Sequence, residues 1–496
     1  MRGLPAALQS LCLNTLTNDP SIPESAFSKL FEKRRTLLRL ACLSAAPALS
    51  VHALNSQAQG NCPALSTGPR RITDLIGSNG FPQTPTDICM WREMGLTWGR
   101  DSVGPGQPNS SSDAMNVSKT SPGFDVDLSS CILRNNQNGV HTLLYLGYTP
   151  KWNASVDGDS KSAPKDVSYW QKYVEAAVSK YSAPPYNVKY FQIWNEAAGR
   201  LSGGSPQATF WHGSGYNKDR KLSSSYDSAM QDYVDKIHLP AAAIIRKYKG
   251  YVVYGGWPDQ GGVDSYVKWL EYRSGTYQTR MIDNVDYLDT HYMSVKDLDS
   301  LYSRYVQPGT VRGIWQTEIG DRYMIDPHYL PQYFFSFAVW ALKRGWDDPN
   351  KYVSMIYHWD GYDPFRLTKR GTPRTYNVPG RTLIVLCSTL RGTLSPYTGQ
   401  VTASDDKSPQ ALYSDNDLIL LVGSSPGQST VQLSDGGKLA SGGLDASLVD
   451  AVTGAVSTAQ VEKRQGSQIN VSFSTPAALG TGEKKHLSYL VLRRKA

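Results

Sequence analysis

Long apolar runs are missing from this 496-residue chain. The one apolar stretch near its start is broken by Arg39 and falls short of the roughly 20 residues that cross a bilayer, so no integral membrane segment is expected in the mature chain. Cysteine is scarce, with 6 in all, and none are spaced as CxxC or lie near paired histidines, which argues against zinc. Basic residues are scattered and form no basic helix or nucleic-acid-binding motif, so no nucleic-acid partner is expected. No internal repeat is found. Charged residues reach only 19% against 40% hydrophobic, which excludes wholesale disorder and leaves enough apolar surface for a sizeable core.

Aromatic residues are plentiful, with 30 Tyr and 12 Trp. Sugar rings present apolar C–H faces to such rings while their edges offer hydroxyls, so an aromatic-lined carbohydrate cleft is expected alongside ordinary core packing. The formal charge of +8 permits an acidic polysaccharide as partner, and equally permits simple solubility.

Residues 33–53 read KRRTLLRLACLSAAPALSVHA, a positive stretch followed by an apolar run and a small-residue cleavage pattern at Val51-His52-Ala53. Residues 1–53 are therefore expected to be a signal peptide, of the general secretory or twin-arginine type given Arg34-Arg35, with 54–69 a short linker. A secreted or periplasmic protein follows. Cys12 and Cys42 fall in the leader, leaving Cys62, Cys89, Cys131 and Cys387. That even number fits one or two disulfides or four buried thiols.

From about residue 70 to 395, short β-rich segments alternate with helical ones, the pattern of a parallel sheet covered by helices. Eight strands are expected, at Arg71–Gly77, Gly95–Arg100, Val140–Leu146, Lys189–Trp194, Gly250–Tyr254, Val285–Thr290, Val311–Thr317 and Lys351–His358. Eight strands of this kind imply an α/β fold, a (β/α)8 TIM barrel over 70–395. Val167, Trp170, Val174, Ala177, Val178 and Tyr181 recur at helical spacing and predict one covering helix. Pro240 should break or kink another. Beyond Leu394-Ser395-Pro396 the texture changes to short alternating runs between Gly, Ser and Asp turns, which predicts a C-terminal antiparallel β-sandwich over 396–496. Asn153 is one of four residues heading N-x-S sequons.

Catalytic groups of such barrels sit where strands end. The fourth strand leads into Trp194-Asn195-Glu196 and the seventh into Gln316-Thr317-Glu318. Cleaving a glycosidic bond takes one carboxylic acid to protonate the leaving oxygen and one carboxylate to attack or to activate water, so two glutamates across a barrel mouth supply the chemistry. Each alone would more often be half of a surface ion pair.

Trp194-Asn195-Glu196 resembles the clan A glycoside hydrolases, whose acid/base glutamate follows an Asn at the end of strand four and whose nucleophile ends strand seven. The nearest resemblance is to family 39, which includes β-xylosidases, iduronidases and bacterial exopolysaccharide hydrolases. It is carried by Tyr190 to Glu196, Phe210-Trp211, Gly147 to Trp152 and Gly255-Gly256-Trp257-Pro258, and extends loosely over most of the barrel. This chain has Ala197-Ala198-Gly199 where the family has Pro after the glutamate. The resemblance implies a retaining O-glycosyl hydrolase acting on an oligo- or polysaccharide, with Glu196 as acid/base, Glu318 as nucleophile and no cofactor or metal. It further implies that Asn195 binds the hydroxyl beside the reacting carbon and that Arg100 keeps the nucleophile ionised. Trp152, Trp257 and Trp359 become candidate walls for sugars. His291 and Tyr292 are adjacent where many clan members separate them, and both can face inward only if the strand has ended or bulged. A non-catalytic carbohydrate-binding protein on a degenerate barrel and a transglycosylase are the alternatives.

Overall fold

The protein is described by a computed structural model covering residues 70–103, 127–197 and 201–495, the last stretch interrupted at 203–204, 207–210, 214–215, 217–225, 256–261, 321–328, 347–354, 362–365, 370, 372–373, 407–408, 435–438, 440–442, 466–467 and 476–485. The expected leader, the linker 54–69 and Trp257 lie outside the described residues.

Eight parallel strands close into a barrel: β1 (Ile76–Asn79), β2 (Trp98–Ser102), β3 (His141–Leu146), β4 (Tyr190–Ile193), β5 (Tyr251–Tyr254), β6 (Tyr287–His291), β7 (Gly313–Ile319) and β8 (Met355–His358). Neighbours follow chain order and β1 bonds to both β2 and β8, which seals the ring. The first strand begins later than expected. Ile72–Asp74 form a 3-10 turn fixed by the Arg71 N–H donating to the Asp74 carboxylate at 2.9 Å, so extended backbone starts only at Ile76.

Covering helices include α1 (Pro85–Glu93), α2 (Ser129–Gln137), α3 (Val167–Ser182), α4 (Tyr226–Tyr233) and α5 (Leu239–Lys247). The predicted stripe of α3 is buried from Trp170 through Tyr181, and Asp166 caps its start by accepting the Ser168 N–H at 2.8 Å. As expected, the helix of the fourth crossover is disturbed near Pro240 and then resumes. A π-helical turn at Val234–His238 stands between α4 and α5, and the backbone stays helical through His238 and Leu239, so the missing N–H of Pro240 falls where the hydrogen-bond register of a continuous helix shifts. Next come α6 (Gly262–Glu271), α7 (Val295–Leu301), α8 (Tyr329–Leu342) and α9 (Val378–Thr389).

Alternate residues of each strand point into the barrel. One interior layer is made of Trp98, Leu143, Tyr190, Val253, Tyr287, Trp315 and Tyr357, one from each of β2 to β8. Trp315 meets Trp98, Tyr190 and Tyr287 with ring centroids 5.3, 4.9 and 5.2 Å away. Much of the aromatic surplus thus fills the core rather than a cleft, which corrects the weight given to surface aromatics; Trp98, Trp170, Trp194, Trp269, Trp315 and Trp346 are all fully buried. Two residues further along the strands the interior turns polar, with Arg100, Gln192, Asp289 and Thr317 buried in place of the rings.

The C-terminal segment forms one nine-stranded antiparallel sheet, comprising β9 (Leu394–Pro396), β10 (Val401–Ala403), β11 (Gln410–Ser414), β12 (Asp417–Ser424), β13 (Gly427–Ser434), β14 (Leu444–Asp450), β15 (Val456–Gln465), β16 (Gln468–Thr475) and β17 (His486–Arg494), in the order 9-11-12-17-14-15-16-13-10. The sheet folds over a core of its own that includes Leu418, Leu420, Val431, Ile469 and Leu490. Ile419, Leu421, Tyr489 and Val491 point the other way and join the hydrophobic core of the barrel's helical layer, where Tyr489 meets Phe335 of α8 at 5.9 Å. Two buried faces explain why β12 and β17 read as near-continuous apolar runs while β13 alternates.

Cys131 is disulfide-bonded to a partner outside the described residues, and Cys89 and Cys387 are free, which sets aside four free thiols. Among the described residues no helix is long and apolar enough to cross a membrane. The Asn153 sequon is not presented to solvent, because its buried amide donates to the Asp166 carbonyl and accepts the Asp166 N–H, each at 2.9 Å.

Candidate active site

The polar layer forms a floor on which the two glutamates stand. Arg100 rises from β2 and is 5% exposed, so its guanidinium must be satisfied by protein. Its Nε donates to Gln192 Oε1 at 2.8 Å, Nη1 to Asn79 Oδ1 at 3.3 Å and to Glu318 Oε2 at 3.4 Å, and Nη2 to Asn195 Oδ1. The neighbouring Asp101 is not among the hydrogen-bond partners of Arg100. Asp101 receives the Ser102 N–H instead, and burial lifts its carboxyl to about 7.

Glu196 follows β4 where the backbone leaves extended geometry, with φ of +65° at Trp194 and +50° at Glu196. Left-handed backbone at two non-glycine residues is strained and needs support from its surroundings. The Trp194 ring is clamped outside the barrel against Tyr148, Trp211 and Trp170 at 4.9, 5.1 and 6.0 Å. The Glu196 N–H donates to the Gly255 carbonyl at 2.5 Å. A Cβ on Gly255 would stand 1.9 Å from the Ile193 carbonyl oxygen, so glycine is required at the exit of β5 for this hydrogen bond to form. Gly255→Ala is expected to lower unfolding free energy by about 1–3 kcal/mol and kcat by about 100-fold through displacement of Glu196; urea titration and single-substrate kinetics check both.

Glu318 is out of phase with Thr317 and Trp315 yet also reaches the mouth, because β7 is irregular at its end. Against β6, Thr290 pairs with Gln316 but His291 with Glu318, and against β8 the register shifts again between Ile356 and His358. The extra residue lets Thr317 face Asp289 while Glu318 turns to the cleft. The end of β6 resolves the adjacency of His291 and Tyr292. His291 closes β6, Tyr292 takes φ of +53° just beyond it, and both face inward. The Tyr292 hydroxyl donates to Glu318 Oε1 at 3.0 Å.

His291 is fully buried between the two glutamates. Its Nδ1 lies 2.8 Å from Glu196 Oε1 and 3.5 Å from Glu318 Oε2. Its Nε2 lies 3.1 Å from the Thr317 hydroxyl, which in turn donates to Asp289 Oδ2 at 2.8 Å. Acceptors therefore face both ring nitrogens. Burial pulls the imidazole pKa down, but Glu318, Asp289 and Glu196 outweigh it and push it up to about 10. For Glu318, burial pushes the carboxyl up, His291 pulls it down, the charge of Glu196 pushes it up again, and Arg100 and Tyr292 pull it down; the net direction is upward.

Carboxylate oxygens of Glu196 and Glu318 and a ring nitrogen of His291 lie within 4.8 Å of one another. Three such groups would suit a metal ion, but a protonated imidazole has no lone pair to give and Arg100 already faces Glu318, so the chemistry of the set does not favour one.

The sequence-derived site residues thus fall in three groups. Glu196, Glu318, Asn195, Arg100, His291 and Tyr292 are linked in one network. Trp359 follows β8, half-buried, with its backbone N–H donating to the Ile319 carbonyl at 2.7 Å, next in the chain to Glu318. Trp152 sits apart on a 3-10 turn after β3, 36% exposed and edge-on to Tyr169 at 4.8 Å. Sequence reasoning passed over Gln192, Asp289, Thr317 and Asn79. The signal was available for three of them, since each lies two residues after an inward aromatic on its strand.

No protein-family model matches the sequence, and no curated protein matches it. Solved structures do. A family 39 glycoside hydrolase from the gut symbiont Bacteroides cellulosilyticus WH2 superposes with a TM-score of 0.54 at 13% identity, covering 87% of this chain and 83% of that one. A GH30 endoxylanase from Clostridium papyrosolvens C71 gives 0.52 at 14% identity over 87% and 98%. The chain has the fold of these glycoside hydrolases. Both neighbours are clan A members, the grouping that the strand-end motifs resemble, and the shared fold extends over 98% of the endoxylanase and 83% of the family 39 enzyme.

Proposed function

We propose that this protein is a retaining glycoside hydrolase of an oligo- or polysaccharide, with Glu318 as nucleophile and Glu196 as general acid and base. The observation that carries the reading is the placement of two carboxylates, with oxygens within 4.8 Å of each other, at the ends of β4 and β7 in a barrel mouth. Retaining enzymes hold their carboxyl groups about 5–5.5 Å apart, whereas inverting ones need about 6.5–9.5 Å to admit a water.

Charge balance calls for one proton on the glutamate pair. Arg100 and a protonated His291 face three carboxyl groups, Glu196, Glu318 and Asp289. One further proton makes the buried cluster neutral, and on Glu196 it is the proton the leaving oxygen needs. Glu318 then attacks the anomeric carbon as Glu196 releases that proton, and the bond to the leaving oxygen breaks. The resulting ester removes the charge of Glu318 just as Glu196 acquires one, so neutrality persists. Glu196 next takes a proton from water, whose oxygen displaces Glu318 and restores the starting state. Arg100, Tyr292 and the floor hold Glu318 in line for attack, and Asn195 is placed to bind the neighbouring hydroxyl.

The barrel over 70–395 would be the catalytic unit and the sandwich over 396–496 its structural partner. Export through the leader accords with a disulfide at Cys131, which needs an oxidising compartment. The test is hydrolysis of a panel of aryl glycosides and polysaccharides, with NMR of the first-formed anomer. Retention is expected; inversion would rule out the double displacement.

A further inference from the structure

The loop after β3 and the segment after β4 meet beside Glu196, and the residues that join them have no role in the chemistry above. The His212 N–H donates to the Lys161 carbonyl at 3.0 Å, and Thr149 holds the same loop through its N–H to the Ser160 carbonyl at 2.9 Å and its hydroxyl to the Ser162 carbonyl at 2.6 Å. Trp211 anchors the second segment, packed on Trp194 and donating to the Ala229 carbonyl at 2.7 Å. Asp159 is committed to the junction, taking the Lys161 N–H at 3.0 Å and the His212 Nδ1. His212 stacks on Tyr216 with centroids 3.8 Å apart and planes within 6°, and Tyr216 is only partly buried. One ring face is covered and the residue still reaches solvent, which suits the apolar face of a sugar.

Lys161 adds a cation. Burial lowers its pKa and outweighs the carboxylates of Asp159 and Glu196, which raise it. Its loop leaves β3, which flanks β4 on the side away from β7, and is tied to the segment after β4 through the His212 N–H, so Lys161 belongs to the Glu196 side of the cleft. An acid that protonates the leaving oxygen must face the leaving sugar. Resting on the reading of Glu196 as that acid, we propose that Lys161, His212 and Tyr216 form a leaving-group subsite for an acidic sugar, one bearing a carboxylate or a sulfate.

NMR titration of the intact protein with glucuronate, glucose 6-sulfate and glucose tests this without turnover, so failure of the hydrolase reading would be a separate result. At least one acidic sugar should bind about tenfold tighter than glucose, the scale of one charge-assisted hydrogen bond, and which one names the anion. Lys161→Met should erase the preference, Lys161→Arg should keep it, and Tyr216→Ala should weaken acidic and neutral sugars alike. Equal binding of acidic sugars and glucose by the wild type, or a preference that survives Lys161→Met, would overturn the proposal.

Discussion

Replacing Glu318 by alanine is expected to cut hydrolysis on the order of 10,000-fold or more, the scale reached when the nucleophile of a covalent mechanism is removed. The arrangement also specifies how activity returns. Arg100 Nη1 and the Tyr292 hydroxyl, which point at the two oxygens of Glu318, would face a vacated space suited to a small anion. Azide added to Glu318→Ala with an activated aryl glycoside should therefore attack directly and give a glycosyl azide of inverted configuration. In Glu196→Ala the ester on Glu318 still forms from an activated substrate, so azide should give the retained product. NMR of the two azides distinguishes the roles. Wild-type turnover by Glu318→Ala would assign the nucleophile elsewhere.

Loss of His291 should have the second-largest effect, and it should be visible in stability. The imidazole is the cation between Glu196 and Glu318, backed by Thr317 and Asp289, and none of these groups reaches bulk solvent freely. His291→Phe leaves the carboxylates facing one another and should cost about 3–5 kcal/mol of unfolding free energy, as removal of one partner from a buried ion pair does. The pH dependence is diagnostic. Because the folded value is raised from 6.5 to about 10, the stabilisation is complete below about pH 6.5 and is lost as the pH rises toward 10. Urea unfolding at several pH values should show wild-type stability declining across that interval and His291→Phe declining less. Equal slopes would mean that His291 is neutral in the folded protein.

The barrel was legible because short β-rich segments, apolar within and ending in polar or aromatic residues, alternate with helical ones, and a closed ring follows from their number, eight. Glu196 and Glu318 were legible as strand-end carboxylates. What sequence could not supply is how Glu318 turns inward beside an inward Thr317, since a bulge breaks the period-two pattern on which strand reasoning rests. Nor could it supply the left-handed turn at Tyr292, which brings His291 and Tyr292 to one cleft although they are neighbours in the chain. Gly255 was noticed only as part of a resemblance; its physical reason, the approach of its carbonyl to the Glu196 N–H, depends on the distance between β4 and β5. Trp and Tyr counts misled in another way, because composition does not separate rings that fill a barrel from rings that line a cleft.

The central claim is that Glu318 forms a covalent bond to the sugar. Incubation with an activated 2-deoxy-2-fluoro glycoside of the sugar that the hydrolysis panel identifies, followed by proteolysis and tandem mass spectrometry, tests it directly, because the fluorine slows release of the ester more than a good leaving group slows its formation. The account predicts a single glycosylated peptide with the added mass on Glu318; label on Glu196, or complete turnover without any labelled peptide, would contradict it.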